Sequence, residues 1–552
     1  MKAFNHSFHS RVKITITFLL LSTTCCLMGQ GPAYNYFYRI YLRDKGTDVT
    51  GKYSGQDLLS ERALERRQKS GIQVPDLRDL PVNRSYLNSI SQAGLILHST
   101  SKWMNTALFK SQTSIDINVL LNLPFVSNVK MVRSPGKKSR YNNKLDFQLV
   151  QADLPPYDRP LTQVNGRALH ESGYDGKGIL IAILDGGFTA ADLISSLSGL
   201  RARNGIKKTY DFVKNGQYVY NLSSHGTAVL SVLAGIMPGN IEGTAPGADY
   251  MLFKTEDVES EFPCEEDFWA AGAEFADSSG ADIISSSLGY FNFDDSTLNY
   301  KISDLNGNTA FVTQVADIAA SKGILVVNSA GNERSSSWKR IIFPSDGDSV
   351  LAAGAVDGDN LISGFSSAGP SVDGRVKPDN VAMGVTVPVQ ISESISGRAS
   401  GTSFSCPVLS GMAACLMQAV PLASNSDIIQ VLHTSADRFN NPDSLYGYGI
   451  PDMVLALTEL QDLYTRIPEG GPLIFPNPTT GNFEIIFPTQ PENITIELFS
   501  MTGKLLIRKE FKNFVGRTLF LTDLQKREQG VYLLRIKDKS GISVRKIIKL
   551  RN

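Results

Sequence analysis

The chain has 552 residues, 42% of them hydrophobic and 20% charged, enough ordinary material for several folded domains. Its 54 Lys and Arg balance its 54 Asp and Glu, so charge offers no case for nucleic-acid or membrane-surface binding. Cys25 and Cys26 lie in an N-terminal apolar segment, which leaves Cys264, Cys406 and Cys415, an odd set that excludes a disulfide framework. Cys406 and Cys415 fall on opposite faces of one helical stretch and are expected as buried free thiols, a reactive Cys406 being the other reading.

In chain order, residues 1–29 have the layout of a secretory signal peptide. Lys2, Arg11 and Lys13 precede the apolar run Ile14 to Leu21, and small and polar residues follow. The run is too short to span a bilayer, and no later segment reaches spanning length without charge. A secreted or cell-surface protein with no stable membrane span is expected. Residues 30–135 read as a small α/β unit. Tyr36 to Leu42 is a strand, Asp57 to Gln68 a charged helix, and Arg84 to Ala93 a helix with Leu87 and Ile90 on one side. Leu95 to Leu97 and Ala107 to Phe109 are strands, Ile115 to Leu123 a helix, and Val126 to Val132 a strand. Helices interleaved with four strands predict a ferredoxin-like arrangement. Arg133 to Arg140 is basic and turn-rich, an exposed linker suited to proteolytic processing.

Residues 150–462 carry the chemistry. Ile179 to Leu184 is a continuous β-rich apolar run, the pattern of a parallel strand buried on both faces. Asp185 follows at its C-terminal end, where open α/β sheets place their sites. Ile324 to Val327 repeats the pattern ahead of Asn332. After His225, Ala228, Val229, Val232 and Leu233 keep helical spacing, and another helical stretch follows Ser403. Pro407 is expected near that helix's start, where its missing N–H breaks no bond. A serine hydroxyl is a weak nucleophile until a base takes its proton and an acid fixes that base. Asp185, His225 and Ser403 could supply these roles. Each motif alone is usually turn or cap chemistry; the case rests on their joint placement at strand and helix ends. Tyr290 to Ala310 is a polar stretch with an incomplete EF-hand pattern and reads as a surface loop near the cleft; no cofactor and no metal is assigned, and calcium stays open without being claimed.

Ile467 to Pro472 forms a linker, and residues 472–552 change to an all-β pattern. Ile494, Ile496 and Leu498 alternate with Thr495 and Glu497; Met501 to Lys504 is a turn; Gly530 to Ile536 and Val544 to Leu550 are strands. A small β-sandwich is predicted.

The order Asp185, His225, Ser403, within Leu184-Asp185-Gly186-Gly187, His225-Gly226-Thr227 and Gly401-Thr402-Ser403-Phe404-Ser405-Cys406-Pro407, resembles the subtilisin-like serine peptidases, or subtilases. Ser286-Ser287-Leu288-Gly289 resembles their substrate-binding strand, and Ser329-Ala330-Gly331-Asn332 their oxyanion segment. Gly243 to Ala248 and Phe365 to Pro370 also fit, so the resemblance covers Gly173 to Leu457. It implies a parallel-sheet catalytic domain with Asp185, His225 and Ser403 as the triad and Asn332 as an oxyanion donor. Ser287, Leu288, Gly289, Ala330 and Gly331 would bind substrate, and Glu333 would line the pocket before the cut bond. The N-terminal unit resembles a subtilase propeptide, which implies a zymogen. Phe475 to Gly481 and Lys546 to Lys549 resemble the sorting domain of type IX secretion, which implies passage through the periplasm and that machinery as a partner. The resulting expectation is a secreted endopeptidase acting on proteins or peptides. The alternatives are an esterase on the same triad or an adhesin with a degenerate peptidase fold.

Overall fold

A computed structural model describes residues 36–47, 51–135, 145, 147–149, 156–465, 471–487, 491, 493–512, 518–539 and 541–550. The expected signal peptide and most of the basic linker lie outside the described residues.

The N-terminal unit is a four-stranded antiparallel sheet in the order Ile96–Ser101, Thr106–Ser111, Tyr36–Leu42, Val126–Arg133. That is the strand order of the ferredoxin-like arrangement. The charged helix expected over Asp57 to Gln68 is broken. Leu59 is extended, and Ser60 starts a second helix, Glu61–Lys69, by accepting the Ala63 N–H. A serine at an N-cap satisfies a donor that a continuous helix would have left to its own turn. The helix expected over Ile115 to Leu123 shortens to Ile117–Leu121, capped by Asp116, whose side chain accepts the Asn118 N–H.

Tyr38, Ile40 and Phe109 form one small core with Leu120 and Val126. Phe37, Leu108 and Val132, on the other face, join the core of the following domain. The two units therefore share buried apolar surface, and buried charges fix how they dock. Arg39 donates to Asp267 (2.6 Å) and Glu266 (3.2 Å). Arg67 lies between Asp79 (3.0 Å) and Asp277 (2.7 Å) with no exposure. The Glu274 carboxylate accepts the Ser101 hydroxyl (2.5 Å) and the N–H groups of Lys102 (2.9 Å) and Trp103 (3.0 Å). Burial pushes the Glu274 carboxyl up, and these donors act against that push.

The central domain is built on a seven-stranded sheet. Its order is Asn380–Met383, Val350–Val356, Leu325–Ser329, Ile283–Ser286, Leu180–Asp185, Asp249–Lys254, Ile206–Asp211. Every pairing is parallel. All six residues of Leu180–Asp185 are buried, as its unbroken apolar run predicts. Helices His225–Ala234 and Thr402–Ala419 cover one face, and Cys264–Ser279 and Phe311–Ser321 cover the other, the face that receives the N-terminal unit. The C-terminal unit has a three-stranded sheet (Leu473–Phe475, Phe483–Ile486, Thr518–Leu521) and a four-stranded one (Leu505–Phe511, Ile494–Ser500, Gly530–Asp538, Gly541–Lys549). Both are antiparallel, and Ile485, Ile494, Ile496, Leu534 and Ile547 share one core. This is the all-β unit that the alternation predicts.

Pro407 corrects an expectation. It is the sixth residue of Thr402–Ala419 and lies inside the helix. There it withholds an i to i−4 bond from the carbonyl of Ser403. The Ser287 hydroxyl supplies the missing donor at 2.9 Å.

Candidate active site

Asp185 ends a central strand of the parallel sheet, and neighbouring strand ends bring the rest of the site to the same edge. His225 opens the helix His225–Ala234. Its backbone N–H is held by the Ser223 hydroxyl (3.1 Å), and its Nδ1 lies 2.9 Å from both oxygens of Asp185. Asp185 is fully buried, and its Oδ1 also accepts the Gly186 N–H at 2.7 Å. With the carboxylate at Nδ1, the ring keeps its proton there and leaves Nε2 as the basic nitrogen.

Ser403 is the second residue of the helix Thr402–Ala419, and 8% of it is exposed. Its N–H is among those a helix start leaves unpaired, and the positive end of the helix favours negative charge there. Among the described residues no hydrogen bond joins the Ser403 hydroxyl to His225. Phe404, the next residue, has its ring centroid 6.1 Å from the His225 ring. Such catalytic bonds are often long without substrate and shorten when it binds.

Asn332 is exposed beside Ser403. Its Oδ1 accepts both the Thr402 N–H (2.9 Å) and the Thr402 hydroxyl (3.1 Å). That fixes which side of the amide faces Thr402 and leaves the NH₂ as the free donor. The Thr402 hydroxyl also accepts the Gly331 N–H at 3.2 Å, so it bridges the two segments. Gly331 has φ +102°, a conformation that a side chain would strain. Thr402 was not singled out in the sequence; its place in the Gly-Thr-Ser triplet was the available signal.

Ser287, Leu288 and Gly289 lie beyond the end of the strand Ile283–Ser286, so of the expected substrate-binding strand only Ser286 is regular strand. The Ser287 side chain is turned inward onto the Ser403 carbonyl, and the Leu288 carbonyl accepts from the Asn328 amide at 3.0 Å. Ala330 is buried and pairs with the Ala353 carbonyl, closing the opposite wall. Glu333 is partly exposed, with its N–H on the Ser367 hydroxyl (2.9 Å). Ser287→Ala is expected to lower thermal stability by about 1–3 kcal/mol, because the buried Ser403 carbonyl loses its donor. Thermal unfolding in an inactive background measures it, and an unchanged midpoint would mean that another group serves that carbonyl.

Cys264, Cys406 and Cys415 are buried and unpaired. Burial pushes the Cys406 thiol up to about 11, so this thiol is no nucleophile beside Ser403. Among the described residues, the one acidic cluster close enough to share a metal ion is formed by residues outside the polar stretch Tyr290 to Ala310. Glu256, Glu261 and Glu265 bring carboxylate oxygens within 4.8 Å of one another. Glu256 accepts the Tyr290 hydroxyl, and Glu265 accepts the N–H groups of Asp257 (2.8 Å) and Phe262 (3.1 Å). An acidic cluster already engaged in this way is no basis for assigning an ion.

A described stretch between the basic linker and the central domain reaches the site. The Phe147 ring lies edge-on to His225 (5.8 Å) and Phe404 (5.5 Å). Leu145 approaches Gly186, and Leu149 approaches Gly397. The sequence carried no signal for this contact.

Comparison with known proteins agrees with the architecture. The Subtilase family profile matches residues 176–449, the Peptidase S8 propeptide domain of Bacteroidota matches 37–146, and a secretion system C-terminal sorting domain matches 473–550. Subtilisin E of Bacillus subtilis (strain 168) is 31% identical over 302 residues, which are 54% of this chain and 70% of that protein. Subtilisin of Bacillus pumilus is 30% identical over 54% of this chain and 97% of its own length. Subtilisin BL of Lederbergia lenta is 28% identical over 52% and 94%. Among the described residues no helix is long and apolar enough to cross a membrane, and the sorting domain indicates export to the cell surface or beyond. The chain belongs to the subtilase family of serine peptidases and carries a propeptide domain before its peptidase domain and a secretion sorting domain after it.

Proposed function

We propose that the chain is a secreted endopeptidase that cuts proteins or peptides through an acyl-enzyme intermediate. Ser403 Oγ attacks the scissile carbonyl while His225 takes its proton and passes it to the leaving amine. Asp185 orients the ring and stabilises the imidazolium. The Asn332 amide and the Ser403 N–H hold the oxyanion. Water then enters, His225 again acts as base, and the acyl group leaves Ser403 as a carboxylate. The backbone of Ser287 to Gly289 receives the substrate as an added strand. The observation that carries this reading is the buried Asp185 carboxylate 2.9 Å from Nδ1 of His225, beside a helix whose second residue is the serine. Hydrolysis of casein by the mature protein tests it. Cleavage of simple esters without casein would favour an esterase, and neither activity would favour a surface adhesin.

The N-terminal unit acts as a propeptide, removed by a cut between about Arg133 and Asp158. Its buried docking onto the peptidase domain and the Phe147 ring beside His225 support this. Blocked Ser403→Ala protein should accumulate uncut if the processing is autocatalytic. N-terminal sequencing of secreted protein checks it; a mature chain beginning near Gln30 would mean that the unit is retained.

The C-terminal unit delivers the enzyme through type IX secretion machinery. Its two signal-like motifs meet on one edge. The Asn477 amide donates to the Lys546 carbonyl (2.7 Å), its Oδ1 accepts the Ile548 N–H (2.9 Å), and the Thr479 N–H donates to the Ile548 carbonyl (2.8 Å). Deleting Pro472 to Asn552 should leave catalysis intact in the purified protein while activity collects in the periplasm. Equal protease activity in the culture medium with and without the segment would remove the sorting role.

A further inference from the structure

The side chain that precedes the cut bond must enter the crevice between Ser287–Gly289 and Ala330–Asn332, if the scissile carbonyl sits between Ser403 and Asn332 as proposed above. A third segment closes the far end of that crevice. The Ile342 N–H donates to the Ala330 carbonyl at 3.1 Å, so Ile342 is tied to one wall. Its neighbour Phe343 pairs with Tyr290 in both directions (3.0 and 3.3 Å), which ties the same segment to the other wall. The Ile342 side chain then points between the two walls. A Cβ placed on Gly289 would lie 2.0 Å from its Cδ1 and 2.4 Å from its Cγ1. A Cβ placed on Gly331 would lie 2.9 Å from Cδ1 and 3.0 Å from Cγ1. The branched end of one isoleucine therefore rests against the backbone of both walls, with 8% of the residue exposed. A side chain on Gly289 would collide with the isoleucine, and one on Gly331 would meet both the isoleucine and a strained backbone at φ +102°.

We infer that Ile342 is a specificity-determining residue: it fills the pocket for the residue before the cut and makes this enzyme selective for glycine, alanine or serine there. A leucine, phenylalanine or tyrosine side chain would need the volume that Cγ1 and Cδ1 of Ile342 occupy. Displacing them would force a packed side chain off its rotamer between two backbone segments, which close-packed interiors resist. The inference rests on the peptidase reading and narrows its substrate class.

The test uses mature wild-type protein, Ile342→Ala and Ile342→Gly, each with internally quenched peptides that differ only in the residue before the cut: Gly, Ala, Leu or Phe. The wild type should favour Ala over Phe in kcat/KM by at least about 10-fold, the lower end of what a pocket discriminates by size. Both variants should shift the ratio toward Leu and Phe by a similar factor. If the variants fold poorly, the wild-type profile decides alone. A wild type that cuts after Phe or Leu as fast as after Ala overturns the inference and leaves the peptidase reading standing. Active variants with an unchanged profile also overturn it. A wild type that is labelled by a fluorophosphonate yet cuts none of the peptides counts against the peptidase reading, and the inference falls with it.

Discussion

Replacing Ser403 by alanine is expected to lower kcat for peptide hydrolysis by about 10⁶-fold, the scale set by removing the corresponding group in another subtilisin-type enzyme. The loss should leave the fold intact. The Ser403 hydroxyl makes no hydrogen bond among the described residues, so deleting one oxygen breaks no buried bond there. The helix keeps its start through Thr402, whose N–H and hydroxyl bind Asn332. The Ser403 carbonyl keeps its bond from Ser287. The residual rate should still exceed that of water, because the oxyanion donors remain. Circular dichroism and thermal unfolding should match the wild type. A well-folded variant with full activity would remove Ser403 from the mechanism.

Asn332→Ala is expected to lower kcat by about 10²–10³-fold, with a smaller effect on KM. The amide is preorganised. Thr402 holds its oxygen from two directions, so the NH₂ is oriented away from Thr402 in advance, as the proposed oxyanion role requires. A donor placed in advance stabilises the transition state more than the ground state, and that difference falls on kcat. The Thr402 N–H loses its acceptor in this variant, so a small drop in stability is also expected. An unchanged kcat would mean that another group serves the oxyanion.

Much of this was legible in the sequence because the informative residues sit at chain punctuation. Asp185 closes an apolar run, His225 opens a helix, and Ser403 follows Gly401 at another helix start. The strands of the N-terminal unit were legible as short β-rich apolar runs, because the central two bury both faces, and those of the C-terminal unit as alternating runs, because they bury one. What escaped depends on contacts between distant segments. Ser287 and Ser403 are 116 positions apart, and only the fold shows that one supplies the donor that Pro407 denies the other. Ile342 is an ordinary core residue by type, and its position between Gly289 and Gly331 is set by backbone pairing with Ala330 and Tyr290. The edge strand Ile206–Asp211 carries Lys207, Lys208 and Asp211, so it lacks the apolar run that marks the central strands. The break at Leu59 and Ser60 shows a local cap overriding a longer helical pattern.

The most direct measurement is to label the mature secreted protein with a fluorophosphonate and map the modified peptide by mass spectrometry. The adduct should lie on Ser403 alone, its formation should parallel loss of casein hydrolysis, and His225→Ala should slow it strongly. Casein hydrolysis that persists after complete labelling of Ser403, or an adduct on a different serine, would contradict the Asp185–His225–Ser403 account.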